Sequence, residues 1–390
     1  MRILLLTYSV RPRGGVVHTL ELASALQSVG HDVTIAAMTR PGEEVFRPVD
    51  VPVFRIEHSP TEPSFDDRIA GMQVASRTGL RELVVDGEFE IVHAQDCLSA
   101  NAALDLRADG CLASVVRTVH HVDDFTSASL IACQERSIVE PDLLLCVSTP
   151  WAARLWDAFA VEAYVVGNGV NAERYRPPRD DAERAQERHR LGWSGRLVIL
   201  TVGGVEPRKG SMTLLEAFAR VRCELAARRP LLVIAGGATL FDYRHERERF
   251  ATRVVELECE DDVCVTGTVP DTQLAAFYRA ADVFAFPSLK EGFGLAALEA
   301  QASGLPVVAS DLDVFEAFLE HAQSAVLCRA GDAAALAGAL QRVAEDDALA
   351  GRLASAGPVA AARYGWLASA RAHEDHYRRF LAARRDPMTI

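Results

Sequence analysis

No stretch of this 390-residue chain is apolar over the ~18 residues that a membrane-spanning helix needs. The amino terminus offers only Ile3–Leu6 before Arg11 and Arg13, too short for the core of a signal peptide, so the chain reads as soluble and cytoplasmic. Basic charge is also short: 41 Lys and Arg stand against 54 Asp and Glu, a net charge of −13. A general nucleic-acid binder needs a basic face, so nucleic acid is excluded as a partner. Any phosphate ligand must be held by local charge working against the overall field. Eight cysteines are scattered with no CxxC pair and no histidine at metal-ligand spacing. Several sit in apolar runs, such as Cys146 within Leu143–Val147, and read as small core residues of a reducing compartment. No GxSxG elbow or Cys-His pairing is visible, which leaves hydrolase chemistry little support.

What is present is a repeating alternation of strand, turn and helix, in a chain 49% hydrophobic and long enough for two domains. Continuous apolar strands are expected at 2–7, 33–38, 51–56, 90–94, 114–119 and 142–147, with a helix over about 16–29 closed by Gly30. Such strands alternating with helices imply a parallel sheet covered on both faces. Composition changes near Asn171, where Arg and Pro give way to a charged stretch ending at Arg190, which reads as a linker. The pattern restarts with strands at 197–202, 231–235, 263–266, 282–286, 306–309 and 325–328. The expected architecture is α/β: two Rossmann-like domains facing each other across a cleft. An acceptor-side domain covers 1–171, a linker 172–195, a nucleotide-sugar domain 196–365, and a terminal helix 366–385. Each half carries a Gly-Gly pair just beyond its first strand, where ligands of such sheets bind.

The most informative stretch is Pro287–Ala300, in which Glu291 and Glu299 stand eight positions apart across a Gly-rich turn. Glu299 is the only charge between Leu295 and Val308. A buried carboxylate needs partners, and two readings stand: acceptors for the hydroxyls of a sugar, or a core helix whose Glu reaches the surface. Gly292 and Gly294 allow close backbone approach, and the following helix presents free N–H groups and a positive dipole end to an anion. Lys209, in Gly203–Gly210, lies at the carboxyl end of the second sheet, where it is either a diphosphate-binding charge or solvent-exposed decoration. This turn is not a P-loop, since GxxxxGK[ST] is absent. The Gly14-Gly15 turn is not GxGxxG, and no acidic residue suited to ribose follows Met38, which weighs against a dehydrogenase. His120-His121 ends a strand with Asp123-Asp124 just after. It is either a loop pair or a near-neutral group in the ligand crevice, and adjacent rings diverge, so at most one enters. Asp311-Leu312-Asp313 matches DxD but has no further ligands nearby and reads as a helix start, so no metal site is expected.

Taken in order, these residues resemble glycosyltransferase family 4, the retaining GT-B enzymes. The resemblance runs through Gly14-Gly15, Gly30-His31-Asp32-Val33, Thr118-Val119-His120, Gly167-Asn168-Gly169-Val170 and Pro207-Arg208-Lys209-Gly210. It continues through Phe277-Tyr278, Glu291-Gly292-Phe293-Gly294-Leu295, Glu299-Ala300 and Gly304-Leu305-Pro306-Val307-Val308. It implies that Glu291 contacts the transferred sugar and Glu299 the ribose. Backbone groups at Phe293, Gly294 and Leu295 would hold sugar and diphosphate, and Lys209 would neutralise the leaving phosphate. His120 would sit beside the reacting sugar, Gly14 and Gly15 would approach phosphate and acceptor, and helix 366–385 would pack back on the first domain. The donor implied is a nucleotide-diphosphate sugar, a UDP-sugar first, with no cofactor and no metal. The acceptor is a small molecule, glycan or lipid-linked alcohol, with at most peripheral membrane contact. Loops around His18, 59–67 and 123–129 would select it. One departure stands out: Gly204 occupies the place of a family arginine, leaving Arg208 as the residue that compensates if its side chain turns inward. An epimerase or hydrolase on the same scaffold, or a silent nucleotide-sugar-binding protein, are the competing readings.

Overall fold

A computed structural model describes residues 1–59, 64–237 and 243–385, so part of the expected acceptor loop 59–67 lies outside the described residues. The chain divides into two compact units, one formed by Met1–Gly169 with the segment from Trp366 onward, the other by Val170–Gly365.

The first unit runs β1 (Arg2–Thr7), α1 (Gly14–Ser28), β2 (Asp32–Thr39), β3 (Val53–Glu57), α2 (Phe65–Asp86), β4 (Ile91–Ala94), α3 (Cys97–Ala108), β5 (Val116–Val119), α4 (Ala128–Val139), β6 (Leu143–Cys146), α5 (Thr149–Phe159) and β7 (Tyr164–Val165). Its sheet has the order β3-β2-β1-β4-β5-β6-β7. The pairs β1–β2, β1–β4, β4–β5 and β5–β6 are all parallel. The inner strands are buried on both faces, which is why Ile3–Leu6 and Leu143–Cys146 read as unbroken apolar runs rather than alternating ones.

The second unit runs α6 (Asp181–Arg190), β8 (Leu197–Val202), α7 (Ser211–Glu224), β9 (Pro230–Ala235), α8 (Arg244–Glu256), β10 (Val263–Gly267), α9 (Asp271–Ala280), β11 (Val283–Phe286), α10 (Leu295–Ala302), β12 (Val307–Ser310), β13 (Val326–Cys328), α11 (Ala333–Glu345) and α12 (Asp347–Ala361). Its strands lie in the order β10-β9-β8-β11-β12-β13, again parallel. A final helix, α13 (Trp366–Arg385), belongs to the first unit and packs on α1. The cores are apolar: Phe218, Leu214 and Leu215 of α7 meet Ile199, Ile234 and Leu340, each at most 1% exposed. Fully burying such side chains contributes about 1.5–3 kcal/mol apiece.

Both sheets reverse strand order next to their first strand, between β1 and β4 and between β8 and β11. Such a switch point opens a crevice beyond the carboxyl ends of the two strands, and it fixes which loops can build a site. In the first unit those are the loop after β1 that leads into α1, whose first residues are Gly14 and Gly15, and the segment Gln95-Asp96 after β4. In the second they are Gly203–Gly210 after β8 and Pro287–Gly294 after β11.

The segment 172–195, expected as a linker, contains helix α6 and belongs to the second unit. Asp180 caps it by accepting from the Glu183 N–H at 2.8 Å. No residue of α6 is buried. Arg184 and Arg188, one turn apart, instead reach Asp282 at 2.7 and 3.0 Å, and Arg279 reaches Glu187 at 2.6 Å. These pairs are half-buried, and they place the helix against α9 and the residues that follow it.

The loops after β8 and β9 touch backbone to backbone. A β-carbon on Gly236 would lie 2.3 Å from the Gly203 carbonyl carbon, and one on Gly204 would lie 2.6 Å from the Gly237 carbonyl oxygen. The neighbours are main chain and cannot swing aside. Gly236→Ala is therefore expected to cost about 1–3 kcal/mol in urea unfolding, the range of an overpacked core. An unchanged midpoint would show that these loops are looser than described.

Candidate active site

The second unit assembles its site at the switch point. Pro207–Lys209 forms a short 3-10 turn before α7, and the Leu289 N–H donates to the Arg208 carbonyl at 2.7 Å, binding the β8 loop to the β11 loop. That main-chain bond brings the Lys209 ammonium to Glu291 Oε1 at 2.5 Å, with side-chain exposures of 17% and 8%. The ammonium also stands 5.0 Å over the Phe286 ring at the end of β11. Ser288, fully buried, donates to the same Glu291 oxygen at 2.9 Å. Arg208 turns inward to 3.6 Å from Glu291 and 3.3 Å from Glu206, itself buried. Burial pushes the Glu291 carboxyl up, but Lys209, Arg208 and Ser288 together hold it below the ordinary glutamate value. Burial lowers Lys209 despite the opposing pull of Glu291. The 2.5 Å contact is an ion pair, with the depressed Glu291 carboxyl ionised at neutral pH. The reading of Lys209 as solvent-exposed decoration is therefore overturned.

Beyond Glu291 the chain turns into α10 through Gly294, at φ +108°. A β-carbon there would be strained and would lie 2.7 Å from the Phe315 ring. Phe293 stacks on Phe318 at 5.0 Å, so its side chain anchors the turn and only its backbone faces the task expected of it. Gly292 and Leu295 flank the same turn, and no acidic residue occupies the first turn of α10, leaving its positive end uncompensated from within the helix. One turn on, Glu299 is buried and its Oε2 accepts from the Tyr278 hydroxyl at 2.9 Å. The alternative in which Glu299 reaches the surface fails on that burial.

In the first unit, His120 follows β5 and Gly15 faces it: a β-carbon on Gly15 would lie 3.5 Å from His120 Cδ2, while Gly14 opens on empty space. His121 diverges to Asp123 at 3.1 Å. His18, expected near an acceptor loop, lies inside α1, fully buried, with its ring 4.7 Å from that of His120. Its Nδ1 meets Asn168 Oδ1 at 2.6 Å. His373 of α13 stands 5.6 Å from His18 and 5.7 Å from His93 of β4. Burial lowers all four rings, His18 to about 4 and His373 to about 3, so the cluster is neutral at pH 7.

Asp311 accepts from the Ala330 N–H at 2.9 Å, and Asp313 opens a short 3-10 turn, Asp313–Phe315, rather than an α-helix. Sequence reasoning gave no role to Ser288, Glu206, Tyr278, Gln95, His93 or His373, and placed His18 at an acceptor loop rather than inside α1 behind His120. The signal for Lys209 was sharper than the turn alone suggests, because Lys209 and Lys290 are the only lysines among 41 basic residues.

Residues 12–174 match the model of Glycosyltransferase Family 4, and residues 183–359 that of Glycosyl transferases group 1. A phosphatidyl-myo-inositol mannosyltransferase of Mycobacterium leprae is 30% identical over 94% of this chain and 93% of its own. The chain belongs to glycosyltransferase family 4. A D-inositol 3-phosphate glycosyltransferase of Xylanimonas cellulosilytica is a further family 4 relative, 32% identical over 93% of this chain and 91% of its own. Among solved structures, sucrose-phosphate synthase of Thermosynechococcus elongatus superposes with a TM-score of 0.81 at 23% identity, covering 98% of this chain and 100% of its own. Anabaena HepE, in complex with UDP and glucose, reaches 0.76 at 18% over 96% and 99%. The fold is GT-B, and the protein is a glycosyltransferase. Among the described residues no helix is long and apolar enough to cross a membrane.

Two outcomes follow from this geometry. Gly204→Arg, which restores the family cation, is expected to lower the unfolding midpoint, because its β-carbon meets the Gly237 carbonyl. A gain in stability would contradict the close contact. The buried histidines have folded pKa values below the unfolded 6.5. Their neutral forms therefore support the fold fully above that value, and the support is lost as pH falls toward 4. Urea unfolding at pH 7 and 4.5 should show a smaller loss for His373→Leu than for the parent chain. An equal loss would assign the acid sensitivity elsewhere.

Proposed function

We propose that the protein is a retaining glycosyltransferase that moves a sugar from a nucleotide-diphosphate sugar, a UDP-sugar first, to an alcohol acceptor without a metal. The observation that carries this reading is the Lys209–Glu291 contact at 2.5 Å beside the start of α10, at the switch point of the second sheet. The diphosphate takes Lys209, Arg208 and the N-terminal end of α10, while Glu291, released from the ammonium, accepts from hydroxyls of the sugar. Glu299, oriented by Tyr278, accepts from the ribose.

In the reaction the bond from the anomeric carbon to the diphosphate oxygen breaks, and its electron pair stays on phosphate. The acceptor hydroxyl oxygen bonds to the same carbon on the same face and gives its proton to the departing phosphate oxygen. Negative charge grows on the leaving group, where Lys209, Arg208 and the helix end are already in place. Preorganised charge of this kind supplies several kcal/mol without a metal. A double-displacement nucleophile would need an available carboxylate. Glu291 keeps the hydrogen bond from Ser288 and is engaged by the sugar hydroxyls, which favours the front-face route. His120 orients and stabilises the reacting sugar.

The two relatives are named for inositol-containing, phosphorylated acceptors. Inositol phosphate and phosphatidylinositol are thus the first acceptors to test. Incubation with a panel of UDP-, GDP- and ADP-sugars separates three results. Transfer to an acceptor supports the reading, free sugar supports a hydrolase, and binding without product supports a silent binder. Lys209→Met and Glu291→Gln are expected to lower kcat by about 100-fold or more, the loss typical of a preorganised electrostatic group. EDTA should leave the rate unchanged. Undiminished turnover in both variants would overturn the site.

A further inference from the structure

Behind His120 lies a hydrogen-bonded chain that the proposed reaction does not by itself require. Gln95 follows β4, is 2% exposed, and its backbone N–H is pinned to the Leu6 carbonyl of β1 at 3.0 Å. Its Oε1 meets His120 Nε2 at 3.0 Å. Its amide nitrogen lies 3.2 and 3.4 Å from the two ring nitrogens of His93, a position over the ring rather than in its plane. The ring nitrogens of His93 are held in turn: Nδ1 by the Tyr377 hydroxyl of α13 at 2.6 Å, Nε2 by the Thr118 hydroxyl at 2.8 Å. An N–H over an aromatic face is favourable, whereas a carbonyl oxygen there meets the negative quadrupole. The amide therefore has one stable direction, and that direction presents an acceptor to His120.

We propose that Gln95 is a positioning residue that fixes the tautomer and aim of His120. With Oε1 as acceptor, Nε2 carries the proton and Nδ1 keeps its lone pair. No hydrogen bond to Nδ1 from a described residue is present, and the opposite edge of the ring faces Gly15. His120 thus offers an acceptor, suited to a ligand hydroxyl, and not a cation. The groups facing it favour the neutral ring throughout: His18 from α1, His93 from β4, and Arg117 and His121 from its own segment, with His373 of α13 behind His18. The effect of Gln95 on turnover rests on the role given to His120 above; its effect on the tautomer does not.

Nitrogen-edited NMR of the full chain reads the tautomer without any ligand, and His120→Ala identifies the signal. The parent protein should show His120 protonated at Nε2 and not titrating between about pH 6 and 8. Gln95→Leu should give a mixture of tautomers. Gln95→Glu, nearly isosteric and able to carry the test if the leucine variant fails to fold, should bring His120 into titration within that window. With the donor found above, both variants should lose about tenfold or more in kcat with donor KM within about twofold. An unchanged tautomer and titration in both variants overturns the proposal. A changed tautomer with undiminished kcat upholds it and removes His120 from the reaction.

Discussion

A lysine ammonium and a glutamate carboxylate, both largely out of water, hold the second unit's site in a charged and poised state. Neither would be tolerated there alone, because an unpaired buried charge costs several kcal/mol. The pair is possible because two loops that leave adjacent parallel strands on either side of a switch point are bound by a main-chain hydrogen bond, which sets Lys209 against Glu291. The strands, in turn, need both faces covered by helices, and this determines the composition of nearly every segment around them. Fold and site therefore share one cause: parallel strand order places the loops, and the loops place the charges.

The same interaction explains how a site built from a salt bridge can act on a ligand. Ground-state pairing keeps both groups ionised, and Arg208 adds a second cation from the neighbouring position, at 3.6 Å from Glu291. Where the family resemblance leads one to expect an arginine, this chain has Gly204, pressed against the main chain of Gly237. No side chain fits there with the loops as they stand. Arg208, turned inward between Glu206 and Glu291, is the charge the local packing does allow.

Much of this was legible in the sequence, for a physical reason. Strands buried on both faces must be apolar throughout, so β1, β6, β8 and β9 announced themselves, and α13 followed its own periodicity from Trp366 to Arg385. The charge at Glu299 inside an apolar run pointed correctly to a buried carboxylate, though not to Tyr278, twenty-one residues earlier, that holds it. Helix α6 was hidden because it buries nothing and is placed by arginines on Asp282, a pattern that in one dimension looks like a solvated linker. The cluster around His120 was hidden for a different reason. His18, His93, His120 and His373 are far apart in the chain, His93 and His373 carry no signal of their own, and only the return of α13 to α1 brings the last of them in. Gln95 carried no chemical signal, since its role lies in the direction of one amide.

The most direct measurement is a crystal structure with UDP or a UDP-sugar bound. The Lys209 ammonium should leave Glu291 for an oxygen of the diphosphate, with the start of α10 at the same phosphate and Glu299 at the ribose. A nucleotide bound elsewhere, or a diphosphate that leaves Lys209 on Glu291 at its present 2.5 Å, would contradict the assignment.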